Sequence, residues 1–184
     1  MFKSKYLVVL ASLLAVAAFA PAAQASHVRP PLEPVVPAEI RTPPGNKVFL
    51  VGHAFGVQVY ECASGPAGFE WRFVEPRAKL FDKFGNLIIA HFGGPTWQAL
   101  DGSRVVGRLE RSVTVDRRSI PWLLLSRASS APGPRGDLLV DTTFIHRIST
   151  RGGLAPSVAF CNKLTLGKKV ESPYTADYFF YKAA

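Results

Sequence analysis

From Lys47 onward the chain is built of short runs rich in β-branched and aromatic residues, each closed by Gly, Pro, Asn or Asp, and it lacks the sustained apolar period and caps of a helix. That pattern leaves few architectures open. The runs KVFLVGH and VQVYEC flank Ala54-Phe55-Gly56, and FEWRFV alternates so that Phe69, Trp71 and Phe73 share one face. Leu87 to Phe92 follows a turn at Gly85-Asn86, while Thr96 to Leu100 and Ser103 to Leu109 flank Asp101-Gly102, the signature of a two-residue type I′ turn. With WLLLSR, TTFIHRI and ADYFFY the total reaches about nine or ten strands at sandwich or barrel spacing. The predicted fold is all-β: a single-domain antiparallel β-sandwich or barrel-like structure.

The segment before Lys47 has a different character. Lys3 and Lys5 precede an uncharged apolar run from Tyr6 to Ala20, and Ala23-Gln24-Ala25 follows, the three parts of a secretory signal peptide with cleavage expected after Ala25. The run is about fifteen residues, short of the roughly 20 that span a bilayer as a helix. Residues 26–46 carry six prolines, Pro30, Pro31, Pro34, Pro37, Pro43 and Pro44, and read as an extended strap or linker leading into an all-β domain over 47–184. The mature chain is expected to be exported, periplasmic or extracellular, with no membrane span after cleavage. An outer-membrane barrel is disfavoured because most of the runs are shorter than the roughly ten residues needed to cross a bilayer.

Loss of Lys3 and Lys5 lowers the formal charge from +9 to +7, still basic, so an anionic envelope component or a carbohydrate is the partner class considered for the surface. Two cysteines, Cys62 and Cys161, remain in an oxidising compartment, and one disulfide between them is the default expectation. Neither lies in a Cys-x-x-Cys pair.

The stretch HFGGPTWQALDGSRVVGRLE, His91 to Glu110, collects a His, a Trp, an Asp-Gly and a Ser. A catalytic triad confined to it is excluded by the hairpin, since four or five residues of strand separate His91 from Asp101 and Ser103 by roughly 13–17 Å. The stretch therefore reads first as scaffold, with Trp97 a buried anchor facing Val106 and Asp101 able to cap its own turn. Its functional reading is a ligand-contacting surface at His91, Gly94, Trp97 and Asp101. His53, His91 and His146 each continue an apolar stripe, so a divalent metal held by three histidines is the alternative site, although no cofactor is expected. Dinucleotide, phosphate-loop, nucleophile-elbow and nucleic-acid motifs are all missing from the sequence.

These blocks also carry a family resemblance. GVQVYEC (Gly56 to Cys62), Trp71, AKLFDKFG (Ala78 to Gly85), HFGGPTWQALDGS (His91 to Ser103), IPWLLL (Ile120 to Leu125), IHRISTRGGLAP (Ile145 to Pro156), Cys161 and PYTADYFFY occur in the order found in the secreted family called domain of unknown function 3455. The resemblance runs from about Lys47 to Tyr181, with Phe92 and Gly93 where the pattern has Tyr and Ala. It implies no activity, and the malate dehydrogenase label borne by some relatives gains no support from a chain without a dinucleotide fingerprint. The leading functional reading is a non-enzymatic secreted binding protein for an envelope or extracellular ligand. The alternatives are a metal-dependent hydrolase or oxidoreductase using the three histidines, and a structural or stress-related envelope protein.

Overall fold

In a computed structural model, which describes residues 31–184, eight antiparallel strands form one closed barrel with every strand beside its neighbours in sequence. The leader assigned to 1–25 and the first strap residues, 26–30, lie outside the described residues. The strands are β1 (Asn46–Gly65), β2 (Gly68–Phe81), β3 (Leu87–Phe92), β4 (Thr96–Ala99), β5 (Arg104–Val113), β6 (Trp122–Ala131), β7 (Phe144–Gly152) and β8 (Lys169–Ala183). Closure comes from β1 and β8, which pair from Asn46 opposite Ala183 to Glu61 opposite Lys169, with one register shift between Val48 and Leu50.

The strand count is thus eight rather than nine or ten, because the two runs on either side of Ala54-Phe55-Gly56 are one strand. The reason lies in packing. Gly56 is paired with Ala78, and a Cβ at 56 would lie 2.1 Å from the Arg77 carbonyl oxygen, so the glycine marks close strand contact rather than a turn.

The barrel interior holds the main core: Ala54, Leu80, Ile89, Trp97, Val105, Leu125, Ile145, Ala176, Tyr178 and Phe180, all buried. Alternating positions on the outer face carry Arg77, Lys79, Arg104 and Arg108, all exposed. An apolar interior within a charged exterior is the reverse of a membrane-spanning barrel. No helix among the described residues is long and apolar enough to cross a membrane.

A second, smaller core lies outside the barrel. Ile40, fully buried, packs with Leu124 and Ile148, and Val36, Val113, Trp122, Phe144 and Phe179 surround them. The proline-rich strap is therefore part of the folded domain over this stretch, as a lid on the outer face of β6, β7 and β8. His146 fixes it: its Nε2–H donates to the Ile40 carbonyl at 2.6 Å, and its Nδ1 accepts from the Tyr181 hydroxyl at 3.1 Å. A carbonyl can only accept, so the ring proton is on Nε2. Burial lowers the His146 pKa, against the raising effect of that bond.

The Asp101-Gly102 reversal differs from the expected type I′ turn. Trp97 is opposite Val105 rather than Val106, and Ala99 N–H bonds to the Ser103 carbonyl, leaving the three-residue loop Leu100-Asp101-Gly102. Of these only Gly102 has positive φ, +91°, as in a turn closed by one left-handed residue. Asp101 holds the loop by accepting from Ser103 N–H (2.8 Å), Ser103 Oγ–H (2.6 Å) and Leu138 N–H (2.9 Å).

Cys62 and Cys161 are joined, with a sequence separation of 99. The bond ties the long connection before β8 to the end of β1, where Cys62 also exchanges backbone hydrogen bonds with Gly167 and Lys168. Closing a loop of that length stabilises by about 4–5 kcal/mol in the chain-entropy account. The double variant Cys62→Ala/Cys161→Ala should lose close to that amount in denaturant unfolding. Reductant should lower the parent's midpoint and leave the variant's unchanged.

Candidate functional site

The site is built from one end of the barrel inward. His91 on β3 and Trp97 on β4 are cross-strand partners, and their rings stack with centroids 4.3 Å apart and planes 7° from parallel. Tyr178 of β8 meets both edge-on, at 5.2 Å from His91 and 5.6 Å from Trp97. Trp97 fits because residue 107 is glycine: a Cβ there would be 2.9 Å from the indole ring and 3.1 Å from Leu125. In the three-residue turn 93–95, Thr96 Oγ1–H donates to the Gly93 carbonyl, and Gly107 N–H donates to the Pro95 carbonyl.

Next to this stack lies a pocket of about 300 Å³, lined by His91, Trp97, Tyr178, Leu123, Leu125, Arg147, Gly94, Pro95, Pro76, Phe73, Val74 and Leu109. The last three are its exposed rim, at 53%, 41% and 57% accessibility. Two adjacent residues reach the rim because β2 bulges: Val59 pairs with Glu75 and Tyr60 with Phe73, leaving Val74 unpaired. Below the bulge Phe73, Trp71 and Phe69 share one face, as their alternation indicated, opposite Tyr60, Cys62 and Ser64.

The pocket holds both an acceptor and a cation. His91 Nδ1–H donates to the Thr96 carbonyl at 2.9 Å, which leaves Nε2 with its lone pair. Complete burial lowers the His91 pKa to about 3; the bond to Thr96 opposes this and the charge of Arg147 adds to it. Arg147 on β7 donates from Nε and Nη2 to the Pro121 carbonyl at 3.2 and 2.9 Å. Burial raises the Tyr178 phenol pKa, while the charge of Arg147 works the other way. The hydroxyls of Tyr174 and Tyr178 are 3.3 Å apart, and Tyr60 Oη–H donates to the Gly153 carbonyl at 2.7 Å.

Of the ligand-contacting residues expected from the sequence, His91, Gly94 and Trp97 come together around this pocket. Asp101 does not. It lies at the opposite end of β4, occupied by its own loop.

The three histidines do not converge. His53 is on the outer face, half exposed, with Nδ1 2.7 Å from Asp177 Oδ1. His91 is in the interior, and His146 is between barrel and strap. Among the described residues no group of three or more His, Cys, Asp or Glu side chains is placed to hold a metal ion. His53 on β1 and His146 on β7 face outward while His91 on β3 faces inward, so the apolar stripes that suggested convergence do not share one face.

Arg147 was not among the residues the sequence singled out. In TTFIHRI the apolar alternation Phe144, His146, Ile148 is on the strap side, and the interior face is Ile145 and Arg147. No sequence signal marked it, since its pairing with Leu123 of β6 is fixed only by the β6–β7 register.

The model of one protein family, described as Protein of unknown function (DUF3455), matches residues 43–182. The chain belongs to the DUF3455 family. The match takes in all eight strands except Ala183, the last residue of β8, and begins within a few residues of the strap's buried Ile40. No curated protein and no solved structure matches this DUF3455 chain.

Two outcomes follow for the stack. Trp97 is 1% exposed, so Trp97→Ala should cost about 3–5 kcal/mol in denaturant unfolding. His91, neutral in the fold down to about pH 3, must take up a proton on unfolding once pH is below 6.5. The folded state then binds fewer protons, so its stability is full above pH 6.5 and falls as the pH drops, by up to about 1.4 kcal/mol per unit from this residue. Thermal melts from pH 7.5 to 4.5 should decline less steeply for His91→Gln, and the His91 ring resonance should not titrate across that range.

Proposed function

We propose that this DUF3455 protein is exported and acts as a non-enzymatic binding protein for a small, mainly apolar molecule held in the barrel-end pocket. The observation that carries the reading is the combination of an apolar rim and walls with a few fixed polar groups, His91, Arg147 and Tyr178, in one concavity. An eight-stranded barrel has room for packed side chains or for one small ligand, and here the packing stops short of one end. The leader pattern of residues 1–25 and the Cys62–Cys161 disulfide support export.

Binding is favoured over catalysis by the state of His91. An imidazole whose pKa is near 3 is a weak proton acceptor at neutral pH, far from the match between pKa and working pH that a general base needs. A small ligand is favoured over a polysaccharide by volume, since about 300 Å³ is at the lower end of small-molecule pockets.

The test uses N-phenyl-1-naphthylamine, a neutral apolar fluorophore that brightens when shielded from water. It should bind the mature chain one to one, and Val74→Arg and Leu109→Arg, both at exposed rim positions, should each weaken binding at least about tenfold, the worth of roughly 1.4 kcal/mol. No binding, or binding that ignores both rim variants, rejects the pocket.

A further inference from the structure

We infer that the ligand of this pocket is a monocarboxylate with an apolar body, its carboxylate received by Arg147; this rests on the binding reading above and names the chemical class. The guanidinium lines a pocket whose other walls are leucine, proline, phenylalanine and aromatic rings, and among the described residues no carboxylate lies within ion-pair distance of it. On the outer surface Arg72, Arg77, Arg108 and Arg118 each have such a partner. A partly desolvated cation facing apolar surface is costly unless an anion pairs with it.

The hydrogen-bond inventory points the same way. Arg147 has five N–H donors in a planar fork, and the Pro121 carbonyl takes one from Nε and one from Nη2. Trp97, which lines the same pocket, has a buried Nε1–H with no partner, and Gln58 on the adjoining inner face of β1 has a buried Nε2 in the same condition. Donors around this end of the barrel are therefore left without an acceptor. A carboxylate supplies two oxygens with four lone-pair sites and no donor of its own.

The same site argues against polyanions. It offers a single cation, and the lone pair of His91 Nε2 would repel a second anionic oxygen while accepting readily from a hydroxyl.

Isothermal titration of the mature protein with 2-naphthoate and with 2-naphthylmethanol, which share one ring system and differ in charge, decides the matter without any substitution. The carboxylate should bind about ten- to a hundredfold more tightly, the range for a hydrogen-bonded charged group. Arg147→Met should abolish that preference while leaving alcohol binding in place, and Arg147→Lys should retain part of it. Equal affinities for acid and alcohol overturn the carboxylate inference and leave the pocket reading standing. Binding of neither probe overturns both, and an acid preference that survives in a folded Arg147→Met overturns the role of Arg147.

Discussion

Closing eight strands on themselves leaves an interior about one layer of side chains wide, and that dimension governs the rest of this structure. Each inward position must be filled to native density or form a cavity. Leu80, Ile89, Ile145 and Phe180, all fully buried, fill the middle. Toward one end the filling is done by flat rings, and the stacked pair of His91 and Trp97 is accommodated only because Gly107 gives up its side chain. A stack of rings covers one wall without reaching across to the other, and the pocket is the space that remains.

The barrel walls also explain which parts of the fold were legible in the sequence. All-β character, antiparallel order and the disulfide could be read from alternation, turn residues and cysteine count, because each is a local or countable property. The number of strands could not, because Gly56 looks like punctuation in sequence and is a point of close strand contact in space. Likewise Asp101-Gly102 announces a reversal, but the exchange of bonds between Ala99 and Ser103 fixes a three-residue loop and moves the partner of Trp97 by one position.

The site was half legible for a related reason. Period-two reasoning assumes that a strand has one wet face and one dry face. β7 breaks the assumption, because the strap buries its outer side through Ile40 while the barrel buries its inner side through Ile145. With both faces covered, the apolar alternation that includes His146 looks like the core and Arg147 looks like the surface, the opposite of their positions relative to the barrel axis. His91, Gly94 and Trp97 escaped the ambiguity because they lie beside one tight turn, whose short reach keeps neighbours in sequence neighbours in space.

The register that runs from Asn46 opposite Ala183 has a temporal side. The first strand to be synthesised takes the last one as its partner, so β1 offers a bare edge to its surroundings until nearly the whole domain has been made. Every other pairing joins consecutive strands and can form as the chain grows; this one alone waits. Such a long-range pairing slows folding, and an unpaired strand of this length is an opportunity for a neighbouring chain. The order of synthesis thus makes β1 both the seam on which the finished barrel depends and its point of greatest exposure during assembly.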